Sequence, residues 1–234
     1  MTRRSTLLLA LAALLLAPLP ALHAQVGYTP EASPFRDLEH RHEWTGAAGW
    51  YFAQKDRLGI APRSGPMVTG RYAFHVGGPV YLAGELGSVF TDRRVLDPSR
   101  PAGSRIITEE STRLYLFDAS VAVALTGHRS WHHLVPEVNA GVGLVASHRR
   151  GLDVGGYEFG APFALSLGTG IRWVPGGRWA LRGDLRSRMY KITYPTTYFQ
   201  TASDSTSALR QGDSRSGWTF NPGVTLGISY LMGR

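Results

Sequence analysis

WTFNPGVTLGISY, residues 218–230, is the stretch on which the fold turns. Trp218, Phe220, Val224, Leu226, Ile228 and Tyr230 share one parity, while Thr219, Asn221, Gly223, Thr225, Gly227 and Ser229 occupy the other. Strict alternation puts successive side chains on opposite faces of a strand, whereas an amphipathic helix would space its apolar residues by three and four. The segment therefore reads as a strand with one apolar and one small or polar face.

Working back toward the N-terminus, the same period recurs until eight segments are defined. The seventh sets Trp179, Leu181, Leu185 and Met189 against Arg182, Asp184, Arg186 and Arg188, and the sixth sets Phe163, Leu165, Leu167, Ile171 and Trp173 against Ser166, Gly168, Gly170 and Arg172. In the fifth, Leu134, Val138, Val142 and Leu144 oppose Glu137, Asn139, Gly141 and Gly143; in the fourth, Phe117, Val121, Val123 and Leu125 oppose Asp118 and Ser120. The third opposes Val80, Leu82, Leu86 and Phe90 to Tyr81, Glu85 and Gly87, and the second opposes Val68, Tyr72, Phe74 and Val76 to Thr69, Arg71 and His75. The first, Ala47 to Lys55, is the least regular. Pro136 and Pro222 fall inside strands, where a missing N–H removes a ladder bond unless a bulge or strand end accommodates it.

Every charge within these segments lies on the small or polar parity: Arg71, Glu85, Asp118, Glu137, Arg172, Arg182, Asp184, Arg186 and Arg188. A soluble sandwich turns its apolar face inward, whereas a barrel in a bilayer does the reverse, and a lipid-facing Arg at the midplane costs ~2–4 kcal/mol. The connections favour the second architecture. Gly77-Gly78-Pro79, Gly127 to Ser130 and Pro175-Gly176-Gly177 are tight, while residues 56–66, 91–112, 147–158 and 192–215 are long and polar. Short turns at one end and long loops at the other are the rule for outer-membrane barrels, and backbone satisfaction in lipid requires closure. Trp44, Trp131, Trp173, Trp179 and Trp218 sit near segment ends, as interfacial girdles require. The expected fold is all-β: a closed eight-stranded antiparallel transmembrane up-and-down β-barrel.

The N-terminus gives the route. Arg3 and Arg4, the apolar run Leu7 to Leu19 and Leu22-His23-Ala24 before Gln25 read as a cleaved signal peptide, with Pro18 and Pro20 breaking any helical anchor. Residues 1–24 are thus the expected signal peptide, 25–43 a periplasmic lead-in and 44–234 a single barrel domain. The chain has no cysteine, so neither a disulfide framework nor a thiolate metal site can form. No later segment approaches the ~20 apolar residues of a spanning helix. The formal net charge of +8 is almost wholly arginine, with Lys55 and Lys191 the only lysines. Basic chains meet nucleic acid or anionic membranes; export excludes the first and leaves the second.

The chain resembles the small eight-stranded outer-membrane proteins of the OmpA/OmpX type over residues 44 to 232, with Gly49-Trp50-Tyr51 in an opening strand and Gly227-Ile228-Ser229-Tyr230 in the closing one. The resemblance implies a barrel domain, both ends in the periplasm, long loops outside and delivery by the outer-membrane assembly machinery. Such barrels usually finish on a terminal aromatic; here Leu231-Met232-Gly233-Arg234 follows Tyr230.

Three uses of these residues compete. Five inward arginines face four inward carboxylates, and an eight-stranded barrel is just wide enough for side chains to fill. A paired network plugging the lumen is the expectation, with a narrow anion-favouring pore, motivated by Arg182, Arg186 and Arg188, as its alternative. A lipid-modifying enzyme would need a His and a Ser at the outer rim, for which Ser147 and His148, beside Arg149 and Arg150, are the adjacent candidates. His40-Arg41-His42-Glu43 offers alternate imidazoles to a metal, but reads better as a mobile lead-in; His132 and His133 belong to a turn. No cofactor or metal is expected. Arg93, Arg94, Arg100, Arg105, Arg149 and Arg150 fall in the long loops and are candidate contacts for lipopolysaccharide phosphates. The expected partners are outer-membrane lipids, lipopolysaccharide and the assembly machinery, not nucleic acid, and the expected state is a monomer without enzymatic activity.

Overall fold

The alternation becomes a ring of long antiparallel strands in a computed structural model that describes residues 33–148 and 152–233. The expected signal peptide and residues 25–32 of the lead-in lie outside the described residues. The strands are β1 Phe35–Asp37, β2 His42–Tyr51, β3 Gly65–Gly77, β4 Val80–Leu96, β5 Ile106–Ala124, β6 Arg129–Trp131, β7 Leu134–Ser147, β8 Phe163–Gly176, β9 Trp179–Thr193 and β10 Ser216–Met232. Eight of them close in the order β2-β3-β4-β5-β7-β8-β9-β10, the last pairing with β2 from Gly223↔Tyr51 to Met232↔His42. Closure leaves the ring no free edge, so every strand has a neighbour on both sides. β1 and β6 stand outside the ring and pair with each other at the tight-turn end, Phe35 opposite Trp131.

The side chains are arranged inside out. Leu226 is 73 % exposed, and Leu86, Leu167, Val142 and Ile171 share its outward parity, whereas Arg172 is 0 % exposed. Soluble monomers rarely expose apolar patches beyond a few hundred Å², so a continuous belt of this kind is a lipid-facing surface. Aromatics bound the belt. Trp44 packs on Tyr72 (4.6 Å between ring centroids) and Trp179 on Tyr230 (5.0 Å) at the tight-turn end, and Trp50, Phe90, Phe163 and Trp218 face outward toward the long-loop end.

Four local features depart from the expected strand map. First, the opening strand runs His42–Tyr51, not Ala47 to Lys55: Gly46 and Ala48 are too small to mark the outward parity that Trp44 and Trp50 share. Second, β4 and β5 run to Leu96 and from Ile106, so most of the expected loop 91–112 is a hairpin projecting past the belt. Third, both prolines stand where a neighbour ends. The Phe52 N–H donates to the Pro222 carbonyl just past β2, and the Leu125 N–H donates to the Pro136 carbonyl just past β5. The N–H and C=O of one residue in an antiparallel ladder point the same way, so each missing donor falls at the end of its ladder. Fourth, His132 and His133, with φ of 47° and 67°, form a two-residue hairpin turn closed by Trp131 opposite Leu134. Positive φ at both centres is the primed turn whose twist suits a hairpin.

The interior is layered. At the tight-turn end Leu38, Tyr81, Ala122, Val135, Val174 and Leu231 form an apolar floor, with Leu38 contributed by the lead-in. At the opposite mouth Tyr51, Met67, Leu114, Val145 and Tyr190 pack against Ile60, Tyr157, Tyr198 and Leu209 from three long loops. Charge occupies the space between.

Candidate functional site

β9 delivers three arginines to the lumen at alternate positions, because a strand repeats its face every two residues. Beside them the inward positions Gly168 and Gly170 of the neighbouring β8 carry no side chain: a Cβ on Gly170 would stand 2.6 Å from the Asp184 carboxylate and 3.1 Å from an Arg182 nitrogen. Glycines on one strand make room for the guanidinium groups of the next.

Two clusters result. In the one nearer the tight turns, Arg172 donates to Glu43 (2.7 Å), and Arg182 donates to Glu137 and, through Nε and Nη2, to both oxygens of Asp184 (2.7 Å each). Arg182 also reaches Glu43 at 3.4 Å, and Arg71 lies 3.6 Å from Glu137 and 3.9 Å from Glu43. Ser229 and Thr45 hydroxyls donate to Glu43 at 2.9 and 3.1 Å. In the second cluster Arg188 donates to Asp118 (2.6 Å) and Glu85 (2.5 Å), while Arg186 lies 3.4 Å from Glu85. Among the described residues the first cluster holds three arginines and three carboxylates and the second two of each, so both are neutral.

All nine inward charges read from the sequence are here. Glu43 is the one that was missed, and it completes the balance that four carboxylates against five arginines lacked. Its signal was parity with Thr45, obscured by the preceding Arg41-His42.

The loop arginines divide. Arg94 and Arg100 keep solvent exposure while pairing with Glu109 and Asp97. Arg93 and Arg105 do not face the exterior as expected. Arg93, on the inward parity of the projecting hairpin, makes a two-pronged bond to Asp153 (2.9 and 2.6 Å) and a third bond to Glu110 (2.8 Å). Arg105 donates to the carbonyls of Arg100, Thr206 and Ser207 at 2.9–3.1 Å. Both are buried ties between loops, and buried cations need such partners. Asp204 adds another tie: the Thr206 hydroxyl and the Ala102 N–H hold its carboxyl down at about 2. Arg149 and Arg150 lie outside the described residues.

Ser147 and His148 are consecutive in an extended segment, so their side chains leave on opposite faces; His148 meets the Tyr115 hydroxyl at 3.1 Å. His40 and His42 diverge too. His42 meets the Tyr72 hydroxyl at 2.7 Å on the outside, and His40 is buried at the floor. Among the described residues no group of three or more His, Asp or Glu is arranged to hold a metal ion.

An apolar belt around a closed ring, with neutral ion clusters inside, defines a small transmembrane β-barrel with the fold of the eight-stranded outer-membrane proteins. No protein-family model matches the sequence, and no curated protein does. Among solved structures the chain is similar to Neisserial surface protein A (13 % identity over 86 % of this chain and 98 % of that one, TM-score 0.46). It is also similar to the outer membrane protein OprG from Pseudomonas aeruginosa (10 %, 84 % and 98 %, TM-score 0.47). A third is Ail, the attachment invasion locus protein of Yersinia pestis (12 %, 83 % and 100 %, TM-score 0.41). At these identities the likeness concerns architecture alone.

Proposed function

We propose that this chain is an integral barrel of the bacterial outer membrane that serves envelope integrity or surface contact, without conducting solutes and without catalysis. One observation carries the reading: the lumen is occupied from floor to mouth by an apolar layer, two neutral ion clusters and a second apolar layer closed over by loops. A solute would have to break buried pairs, each of which strands a charge when split. The tied loops are the part available for contact, with Arg94 and Arg100 as the exposed cations for anionic lipid phosphates. The tight-turn end, where β2 begins and β10 ends, is assigned to the periplasm, and delivery to the assembly machinery. The chain acts as a monomer in this reading, which the closed ring supports by offering no strand edge to a second copy.

A narrow anion-favouring pore is the second reading. It is favoured by Arg186, which is buried beside Glu85 yet makes no hydrogen bond through any of its three guanidinium nitrogens. Planar-bilayer recording separates the two. The closed reading expects no conductance above the lipid background, whereas anion-selective steps that disappear in Arg186→Gln would replace it with the pore.

A further inference from the structure

The lead-in does more than enter the barrel. Leu38 is buried in the apolar floor, its N–H donates to the His128 carbonyl at 3.1 Å, and β1 pairs with β6 beside it. Arg41 donates back to the end of β10 and accepts from the His75 N–H at 2.7 Å. The segment 35–41 thus lies across the tight-turn mouth, with Leu38 as its buried apolar anchor.

Three imidazoles meet at this mouth, His40 of the segment, His75 near the end of β3 and His128 of the turn before β6. His75 and His128 stack face to face, ring centroids 3.8 Å apart and planes 9° from parallel, and His40 lies 6.5 Å from His128. His128 Nδ1 is 3.0 Å from the Tyr81 hydroxyl, and a ring N–H of His75 donates to the Gly78 carbonyl at 3.0 Å. His40 Nε2 is buried without a hydrogen-bond partner. We propose that residues 35–41 form a latch over this mouth that acid releases through His40 and His128, beside the stacked ring of His75.

The surroundings set the sign. A proton on His40 or His128 meets the neighbouring imidazole rings and Arg172 of β8, whose guanidinium lies 4.9 Å over the Tyr81 ring. The carboxylates within reach are committed: Glu43 to Arg172 and Arg182, and Asp37 of β1 to Arg129 of β6 at 2.8 Å. Burial first, then Arg172, holds His40 down at about 4, and burial with the His75 ring also lowers His128. Once the segment lifts, a histidine titrates near ~6.5. A folded value below the unfolded one means that docking is fully stable above about pH 6.5 and is lost as pH falls below it. For His40 the loss is up to about tenfold in the docking constant per pH unit, flattening near 4, and the lowered His128 adds to it in the same direction. The device works whichever aqueous phase this end faces.

Hydrogen exchange on the folded protein in lipid nanodiscs at pH 7.5 and 5.0, corrected for the intrinsic rate, tests it. Amides of 35–41 should lose at least tenfold protection at pH 5.0 while those of β9 keep theirs, and the double variant His40→Gln/His128→Gln should flatten the response. Equal protection at both pH values, or a response that persists in the double variant, overturns the latch. If the double variant does not fold, His75→Gln takes its place. Removing one repelling ring should move release to lower pH, and release at the same or higher pH overturns the proposal.

Discussion

Glu43 stands on the first strand of the ring and accepts from arginines on the sixth and seventh. Removing its charge strands Arg172 and Arg182 in a site both fill at 0–2 % exposure. Glu43→Gln should cost about 3–5 kcal/mol, whereas Glu43→Leu with Arg172→Met, which restores neutrality with apolar volume, should cost less than the single change. Urea unfolding in lipid vesicles, read by the gel mobility of the unheated protein, ranks the two. The other nine inward charges were legible because each sits in an alternating run that fixes its face. Glu43 was not, because nothing upstream alternates. Arg93 and Arg105 were misread for another reason: whether a loop cation meets solvent or Asp153 depends on how distant segments cross, which local pattern does not encode.

At the scale of elements, strand identity and most turns were legible from period and glycine position, and lengths were not. The belt needs about 9–11 residues per strand, yet β4 and β5 carry 17 and 19, because their outer ends pair with each other instead of with lipid. The sequence placed His132 and His133 at a turn but not its type, since a primed turn ordinarily announces itself with Asn-Gly. Left-handed backbone at a non-glycine residue costs roughly 1–2 kcal/mol. His132→Asn with His133→Gly should therefore stabilise the barrel by about 1 kcal/mol, a gain measurable in the same urea titration. At Gly177, φ of 74° is met by glycine already, so no such gain is available there.

Over the whole molecule, period alone left inside and outside undecided, and the tie was broken by export, loop lengths and tryptophan positions. The structure puts the apolar faces outward. The described lumen charges cancel, so the lumen adds nothing to the net charge of +8. Arg94→Gln with Arg100→Gln should weaken retention of lipopolysaccharide at low salt and leave retention at high salt nearly unchanged, since exposed charges are screened within about 3 Å at 1 M. Immobilised lipopolysaccharide eluted with a salt gradient measures it; identical elution of variant and parent would remove these two residues from the contact.

The neutral lumen also constrains how the molecule comes into being. Glu43 stands on the first strand of the ring, whereas Arg172 and Arg182 stand on β8 and β9, so an open sheet that lacks those two strands holds four of the five carboxylates against Arg71 alone. Spread in hydrocarbon, such a half-made sheet would meet lipid with ionised groups on one face and unpaired backbone at two edges. The order of events is therefore restricted. Curling, neutralisation and entry into the bilayer have to advance together, and the last hairpin to zip is also the one that takes the remaining charge out of sight.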